Sequence, residues 1–345
     1  MLLTLAAAIF VFGLIVLVHE WGHFITAKFT GMRVDEFAIG FGPKIFKFRR
    51  GETLYSLRAI PLGGFNDIAG MDPSDNPAGE RGFCEKPVFS RMLVILAGAG
   101  MNFIMPIILF FAIFATVGIA QPATEPVIGA VIENKPAANA GLIAGDKILS
   151  VNGEKVSTWE ELTAKLKASD SDKNILLDYE RNSKVSTVSV TPEFDSQSKR
   201  VLIGIQSAIS YEKMSVIDAF VLSVKHTIEI LAMMLGALAD LVQSPSQADV
   251  AGPIGITKMA GQVAERGFIP LLNFAALLSL NLGIINLLPV PALDGGHFVG
   301  LAIEAVRGKP LSPKALMYTQ RVGVAILLLL TVVVTTSDVI KVFFK

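Results

Sequence analysis

Cysteine is all but missing. One residue, Cys84, occurs in 345, which excludes an internal disulfide framework and leaves that thiol as a passive residue. Charge is scarce too. Asp, Glu, Lys and Arg make up 17% of the chain, where about a quarter is usual for a soluble domain. Neither sign dominates: 30 basic residues balance 30 acidic ones, so net charge gives no footing for a nucleic-acid partner. Histidine occurs 4 times. The excess is apolar, with 52% hydrophobic residues and a mean hydropathy of +0.57. That is the composition of a chain that lives in lipid.

Four segments are apolar enough to cross a bilayer: residues 1–27, 92–119, 267–293 and 322–340. The first lacks the basic start and small-residue cleavage site of a signal peptide, so it is expected to be a retained span. The loop after it (28–91) carries Lys28, Arg33, Lys44, Lys47, Arg49, Arg50 and Arg58, and the loop at 294–321 carries Arg307, Lys309, Lys314 and Arg321. Positive loops stay in the cytoplasm. The long stretch between the second and third spans then lies outside.

Three further segments have a character of their own. Residues 51–71 mix short apolar runs with Pro61, Gly63 and Gly64, the pattern of a strand hairpin. Lying near a membrane site, it could sit in the interface and offer its edge to an extended substrate. Residues 126–207 are soluble in composition. There the run from Ala140 to Gly153 resembles the strand–turn–strand region of a PDZ domain, 158–168 reads as its short helix, and 174–190 as two more strands. Such a domain takes a peptide tail as an added strand; the alternative is a spacer that binds nothing. Residues 214–243 are apolar but include Asp218, Lys225, Glu229 and Asp240. They suit an amphipathic helix lying on the outer surface of the lipid better than a fifth span.

The chemistry sits at the end of the first span, in His19-Glu20-Trp21-Gly22-His23. Positions i and i+4 share a helix face, so both imidazoles can meet one metal ion while Glu20 handles a proton. Ionisable groups in a span are costly and so point to function. A hydrolytic zinc site takes three protein ligands and keeps one position open. Asp294 is the best third candidate. It closes the third span in Asn286-Leu287-Leu288-Pro289-Val290-Pro291-Ala292-Leu293-Asp294-Gly295-Gly296-His297. By parity the first and third spans run in the same direction, which puts His19, His23 and Asp294 at one depth. Pro289 and Pro291 should break the helix, and Gly295-Gly296 allow a tight turn. His297 reads as a nearby interfacial residue rather than a ligand.

An HExxH motif in the first span, a PDZ-like insert and an NxxPxPxLDG motif in the third resemble the site-2 protease family of intramembrane zinc metalloproteases, of the bacterial sigma-E-regulator type with one PDZ domain. The resemblance covers nearly the whole chain. It implies a polytopic α-helical protein of the bacterial inner membrane, with four transmembrane helices, an extracytoplasmic PDZ-like domain and a membrane-associated β-hairpin. It implies one zinc ion on His19, His23 and Asp294, and Glu20 as catalytic acid and base. Asn286, with Pro289 and Pro291, would hold the substrate strand. Substrates would be single-span membrane proteins such as anti-sigma factors, or remnant signal peptides. Family members often have a glycine–proline pair in the second span; here the stretch reads Ala97-Gly98-Ala99-Gly100-Met101-Asn102-Phe103. A competing reading is a non-catalytic membrane adaptor that binds partners through the PDZ-like domain, but a structural metal site has no need for Glu20.

Overall fold

The computed structural model describes residues 1–71, 78–169, 173–195, 200–243 and 252–343. In chain order it runs α1 (Leu2–Phe29), β1 (Val34–Arg50), β2 (Thr53–Ile68), α2 (Val88–Thr116), β3 (Ile119–Pro122), β4 (Ile128–Val131), α3 (Pro136–Asn139), β5 (Lys147–Val151), β6 (Glu154–Lys155) and α4 (Trp159–Ala168). It continues with β7 (Ile175–Arg181), β8 (Lys184–Val190), β9 (Glu193–Asp195), β10 (Arg200–Leu202), β11 (Ile205–Ser207) and β12 (Ile209–Glu212). Then come α5 (Val216–Gln243), α6 (Pro253–Glu265), α7 (Phe268–Leu287), α8 (Asp294–Arg307) and α9 (Pro313–Phe343). The chain divides into two compact units, Met1–Ile113 with Ile217–Lys345, and Phe114–Val216.

The first unit is helical apart from one hairpin. Its core forms where α1 packs through Ala7, Ala8, Val11 and Ile15 against Met105 of α2, Ala260 of α6, and Leu271 and Phe274 of α7. A second cluster joins Phe24, Val94, Ile95, Phe37 and Leu301. Small residues let backbones approach. A Cβ on Gly22 would overlap the Ala97 carbonyl of α2, so α1 and α2 cross in contact at that point. At the far end, Asp338 of α9 accepts hydrogen bonds from the backbone N–H groups of Gly252 (2.9 Å) and Gly255 (2.8 Å). A carboxylate suits the positive end of α6, which gives this charge in an apolar helix a partner.

Among the described residues, five helices are long and apolar enough to cross a membrane: Leu2–Phe29, Val88–Thr116, Val216–Asp240, Phe268–Leu287 and Lys314–Ile340. The sequence pointed to four, with 214–243 on the surface. The α5 charges are fewer than they look, since Lys225 and Glu229 pair across one turn at 3.8 Å. The segment expected as a span to residue 293 stops as helix at Leu287, because Leu288 turns extended (ψ 141°) ahead of Pro289. The stretch expected as loop at 294–321 opens with α8 and leads into α9 at Pro313.

The hairpin is longer than the expected 51–71. It pairs β1 and β2 antiparallel from Val34 opposite Ile68 to Arg50 opposite Thr53. Its inner half is buried through Val34, Phe37 and Ala38, while Phe41, Ile45, Phe46 and Phe48 stand exposed on the outer half. Several register shifts break the pairing. One lies at Gly40 (φ +85°), where a side chain would meet the Ile60 carbonyl.

The second unit is mostly β. A four-stranded antiparallel sheet runs β6-β5-β7-β8, with pairs β3–β12, β4–β11 and β9–β10 beside it. Its core holds Ile128, Leu142, Ile148, Leu162, Ile175, Leu177 and Val190. Asn152 and Gly153 take positive φ at the β5–β6 turn, as do Asn182 and Ser183 at the β7–β8 turn, which matches the twist of tight hairpins. Thr158 caps α4 by accepting from the Glu161 N–H at 3.1 Å. Asp146 is buried and accepts from the Ile143 N–H and from Nε and Nη2 of Arg181. Burial raises its carboxyl pKa, but these bonds and the Arg181 charge outweigh that and hold it below the usual range.

A depressed carboxylate stabilises the fold above its ordinary pKa and loses that contribution as pH falls through the lowered value. In a Trp21→Phe background, Trp159 is the only tryptophan left of the 2 and reports on this unit. Its fluorescence melt should shift to lower temperature as pH drops below about 4, and an Asp146→Asn variant should start lower and show a flatter pH dependence there.

Candidate metal centre

Helix α1 presents His19 and His23 one turn apart, with rings edge to face and centroids 4.8 Å apart. Their Nε2 atoms lie 3.2 Å from each other. Asp294, the first residue of α8, brings Oδ2 to 3.5 Å from each of them. The delivery of Asp294 depends on a strained turn. Ala292 sits at φ +78°, a conformation that costs a non-glycine residue about 1 kcal/mol or more. Any side chain at Gly295 or Gly296 would strike the carbonyls of Leu287, Leu288 or Val290. The turn can therefore close only with glycine at both positions.

The three donor atoms form a triangle of 3.2, 3.5 and 3.5 Å. Ligands about 2.0–2.2 Å from a tetrahedral zinc stand about 3.3–3.5 Å apart. Asp294 Oδ2 is buried with no hydrogen-bond partner, an arrangement that costs on the order of several kcal/mol unless a cation sits against it. Among the described residues, His19, His23 and Asp294 are the group placed to share a metal. The donor set of two imidazoles and a carboxylate fits zinc and leaves its fourth position free.

Groups behind the triangle fix the rings. His23 Nδ1 donates to the Val94 carbonyl of α2 at 2.8 Å, which leaves the Nε2 lone pair facing Asp294. His19 Nδ1 lies 3.1 Å from the Asn102 side-chain amide and 3.5 Å from that of Asn286. The amide nitrogens of Asn102 on α2 and Asn286 on α7 both face His19 Nδ1 and hold the ring between them, with Nε2 directed at His23 and Asp294. Ser279 on α7 donates to the Asn102 carbonyl at 2.9 Å. Gly98 is what lets α2 come so near, because a Cβ there would overlap both imidazoles.

Glu20 points to the hairpin side. The Asn66 amide of β2 donates to Glu20 Oε2 and to its backbone carbonyl, each at 2.8 Å. Gly64 lies against the Glu20 side chain and leaves no space for one of its own. Asn286 ends α7 beside His19. Exposed Pro289 and half-buried Pro291 lie in the link to α8, where the Pro291 carbonyl packs against Gly323 of α9. Val94, Asn66 and the steric role of Gly98 escape sequence reasoning. A backbone carbonyl carries no residue signature, and nothing in the hairpin pattern marks Asn66 as reaching Glu20. The departure at Ala97–Phe103 was the one visible signal near Gly98.

A scan against family models matches residues 7–330 to peptidase family M50. The chain belongs to that family. Similar relatives include the regulator of sigma-W protease RasP of Bacillus subtilis, 33% identical with 99% of each chain covered. The zinc metalloprotease RasP of Geobacillus kaustophilus is 32% identical, covering 99% of this chain and 98% of its own. A solved PDZ domain of an SdrC-like protein from Listeria monocytogenes covers 26% of this chain and 93% of its own at 19% identity and TM-score 0.22. The M50 chain is an intramembrane zinc metalloendopeptidase of the inner membrane, and zinc is its cofactor.

Replacing Gly98 with alanine in this M50 protease should push both imidazoles apart. Zinc retained after dialysis should fall, and cleavage should drop at least about tenfold. Gly100→Ala, which would meet nothing within 4 Å, is the control on the same helix and should keep both near wild type.

Proposed function

We propose that His19, His23 and Asp294 hold the zinc ion and that Glu20 is the general base and acid of peptide hydrolysis within the membrane. The observation that carries this is the triangle of donor atoms around a buried Asp294 oxygen that lacks a hydrogen-bond partner. Bound zinc supplies Lewis acidity, making water a stronger acid and polarising the scissile carbonyl. Glu20 takes the proton from the attacking water and passes it to the leaving amine. The Asn66 amide holds one of its oxygens and leaves the other free for that transfer.

The substrate proposed is the transmembrane segment of a single-span membrane protein, such as an anti-sigma factor or a remnant signal peptide. A helical segment must unwind before its carbonyl is open to attack. The hairpin beside Glu20 supports strand pairing as the means, with Asn286, Pro289 and Pro291 flanking the opened segment. The exposed Phe41, Phe46 and Phe48 beside Lys44, Lys47 and Arg49 suit a hairpin seated at the lipid interface. The PDZ-like unit, proposed to lie outside, would read a peptide tail or exclude substrates with bulky outer domains.

Four spans fit this reading better than five. Leu271 near the start of α7 packs with Ala7 and Ala8 near the start of α1, and Asn286 at the end of α7 lies beside His19, so those two helices run the same way. The start of α2 meets the end of α1, through Val94 and His23, while Gly261 of α6 lies against Thr4 at the start of α1. The end of α2 and helix α6 therefore share one side of the membrane. The chain between them must cross an even number of times, and α5 as a lone crossing breaks that count. A surface-lying α5 also agrees with Phe110 and Phe111 of α2 touching residues as far apart as His226 and Phe220.

Two experiments test the proposal. With a single-span reporter, Glu20→Gln should keep full zinc content and lose cleavage by about a thousandfold or more, and Asp294→Asn should lose zinc; wild-type cleavage by Glu20→Gln would exclude the assigned role. In a Cys84→Ser background, cysteines placed at Ser215 and Gln243 should both react with an impermeant thiol reagent from the outer side. Reaction from opposite sides would make α5 a span.

A further inference from the structure

Helix α8 must hold Asp294 in register with two imidazoles on another helix. Its packing alone does not define that register. Leu301 is buried and Phe298 partly so, against Phe24, Val94 and Ile95. Apolar contact is non-directional and supplies no hydrogen bond that ties α8 to α2 at one position. One directional contact joins α8 to α2. Arg91 donates Nη2 to Glu304 Oε1 at 2.5 Å and Nη1 to Oε2 at 3.1 Å, a two-pronged fork. Its Nε donates to the Lys86 carbonyl at 2.9 Å, which fixes the guanidinium against the entrance of α2. The side chains are 8% and 12% exposed, so water hardly screens the pair.

The two ends of this fork lead directly to the two halves of the metal centre. On α2, Arg91 stands one turn before Val94, which holds His23, two turns before Gly98, and three before Asn102, which faces His19. On α8, Glu304 stands one turn beyond Leu301 in the same 14-residue helix whose first residue is Asp294. A helix is stiff along its axis, so a slide at Glu304 is an equal slide at Asp294. A misplacement of about 1 Å is enough to spoil a site of this kind. A buried ion pair is a weak source of stability compared with apolar packing, but a two-pronged fork defines position and rotation together.

We infer that the Arg91–Glu304 pair is a positioning device for the zinc site: it sets the register of α8 against α2 and so the distance from Asp294 to His19 and His23. The inference rests on the zinc assignment proposed above. It makes Arg91 and Glu304 positioning residues, remote from substrate and acting on metal geometry.

The test uses the full chain in detergent or lipid discs. Zinc affinity is measured by competition with a chelator, and the ligand field by the visible absorption of the cobalt-substituted protein. Arg91→Gln and Glu304→Gln should each weaken zinc affinity about tenfold, shift the cobalt spectrum and lower kcat with little change in KM. Arg91→Lys, which keeps the charge but loses the fork, should also shift the spectrum. The double variant Arg91→Gln/Glu304→Gln leaves no unpaired charge, so it remains the arbiter if a single variant fails to fold. Its loss of zinc affinity should not exceed that of the worse single variant, because the pair acts as a unit. A folded double variant with wild-type zinc affinity and cobalt spectrum would overturn the inference, whatever its melting temperature. His23→Ala serves as the separate control. If it loses zinc while the Arg91 and Glu304 variants keep it, the positioning role alone fails. If it keeps zinc, the ligand assignment itself fails.

Discussion

Everything in the helical unit answers to one constraint. Three polar side chains, His19, His23 and Asp294, converge among apolar helices, where each alone would be costly to bury. Two imidazole nitrogens and one carboxylate oxygen face one another within 3.5 Å, and Asp294 Oδ2 has no hydrogen-bond partner. The proposed zinc ion would satisfy all three atoms at once. The rest of the unit can be understood as what brings the three atoms together and keeps them from turning away.

Several devices share that work. Gly22 and Gly98 give up side chains so that α2 can press against α1 at the level of the imidazoles. The Val94 carbonyl and the Asn102 amide then fix the outer nitrogens of the rings. The strained Ala292 and the paired glycines after Asp294 turn α8 inward. Buried polar groups that serve such ends are tolerated because each has a partner; Asp338 with the first turn of α6 is the same solution at the opposite end of the unit. The outer face of α9, by contrast, is exposed and apolar through Leu328, Leu329, Val332 and Val333, as a helix surrounded by acyl chains would be.

Much of this was legible in the chain. The i, i+4 histidines and the aspartate closing a charge-free run pointed to three residues that the structure brings together, because ligand chemistry and helix period are local properties. The break before Pro289 was equally local. The β5–β6 turn was readable, since Asn and Gly in Asn152-Gly153 tolerate the positive φ it requires. The true length of the hairpin was not readable. Its first strand contains Gly40 and Gly42 and is half buried and half exposed, so no single alternation runs through it. The supporting groups were hidden for another reason. Val94 acts through a backbone carbonyl, Gly98 through the absence of a side chain, and Arg91 with Glu304 across more than two hundred residues of sequence. Helix α5 marks the limit of composition: its length and hydropathy allow a span, and the sequence alone could not weigh that against its four charged residues.

The central claim is that one zinc ion sits among His19, His23 and Asp294. Anomalous scattering at the zinc edge, from crystals of the purified full chain, tests it most directly. The account predicts a single peak about 2.0–2.2 Å from Nε2 of both histidines and from a carboxylate oxygen of Asp294. A peak elsewhere in the chain, or one bonded to the imidazoles with the Asp294 carboxylate beyond bonding distance, would contradict it.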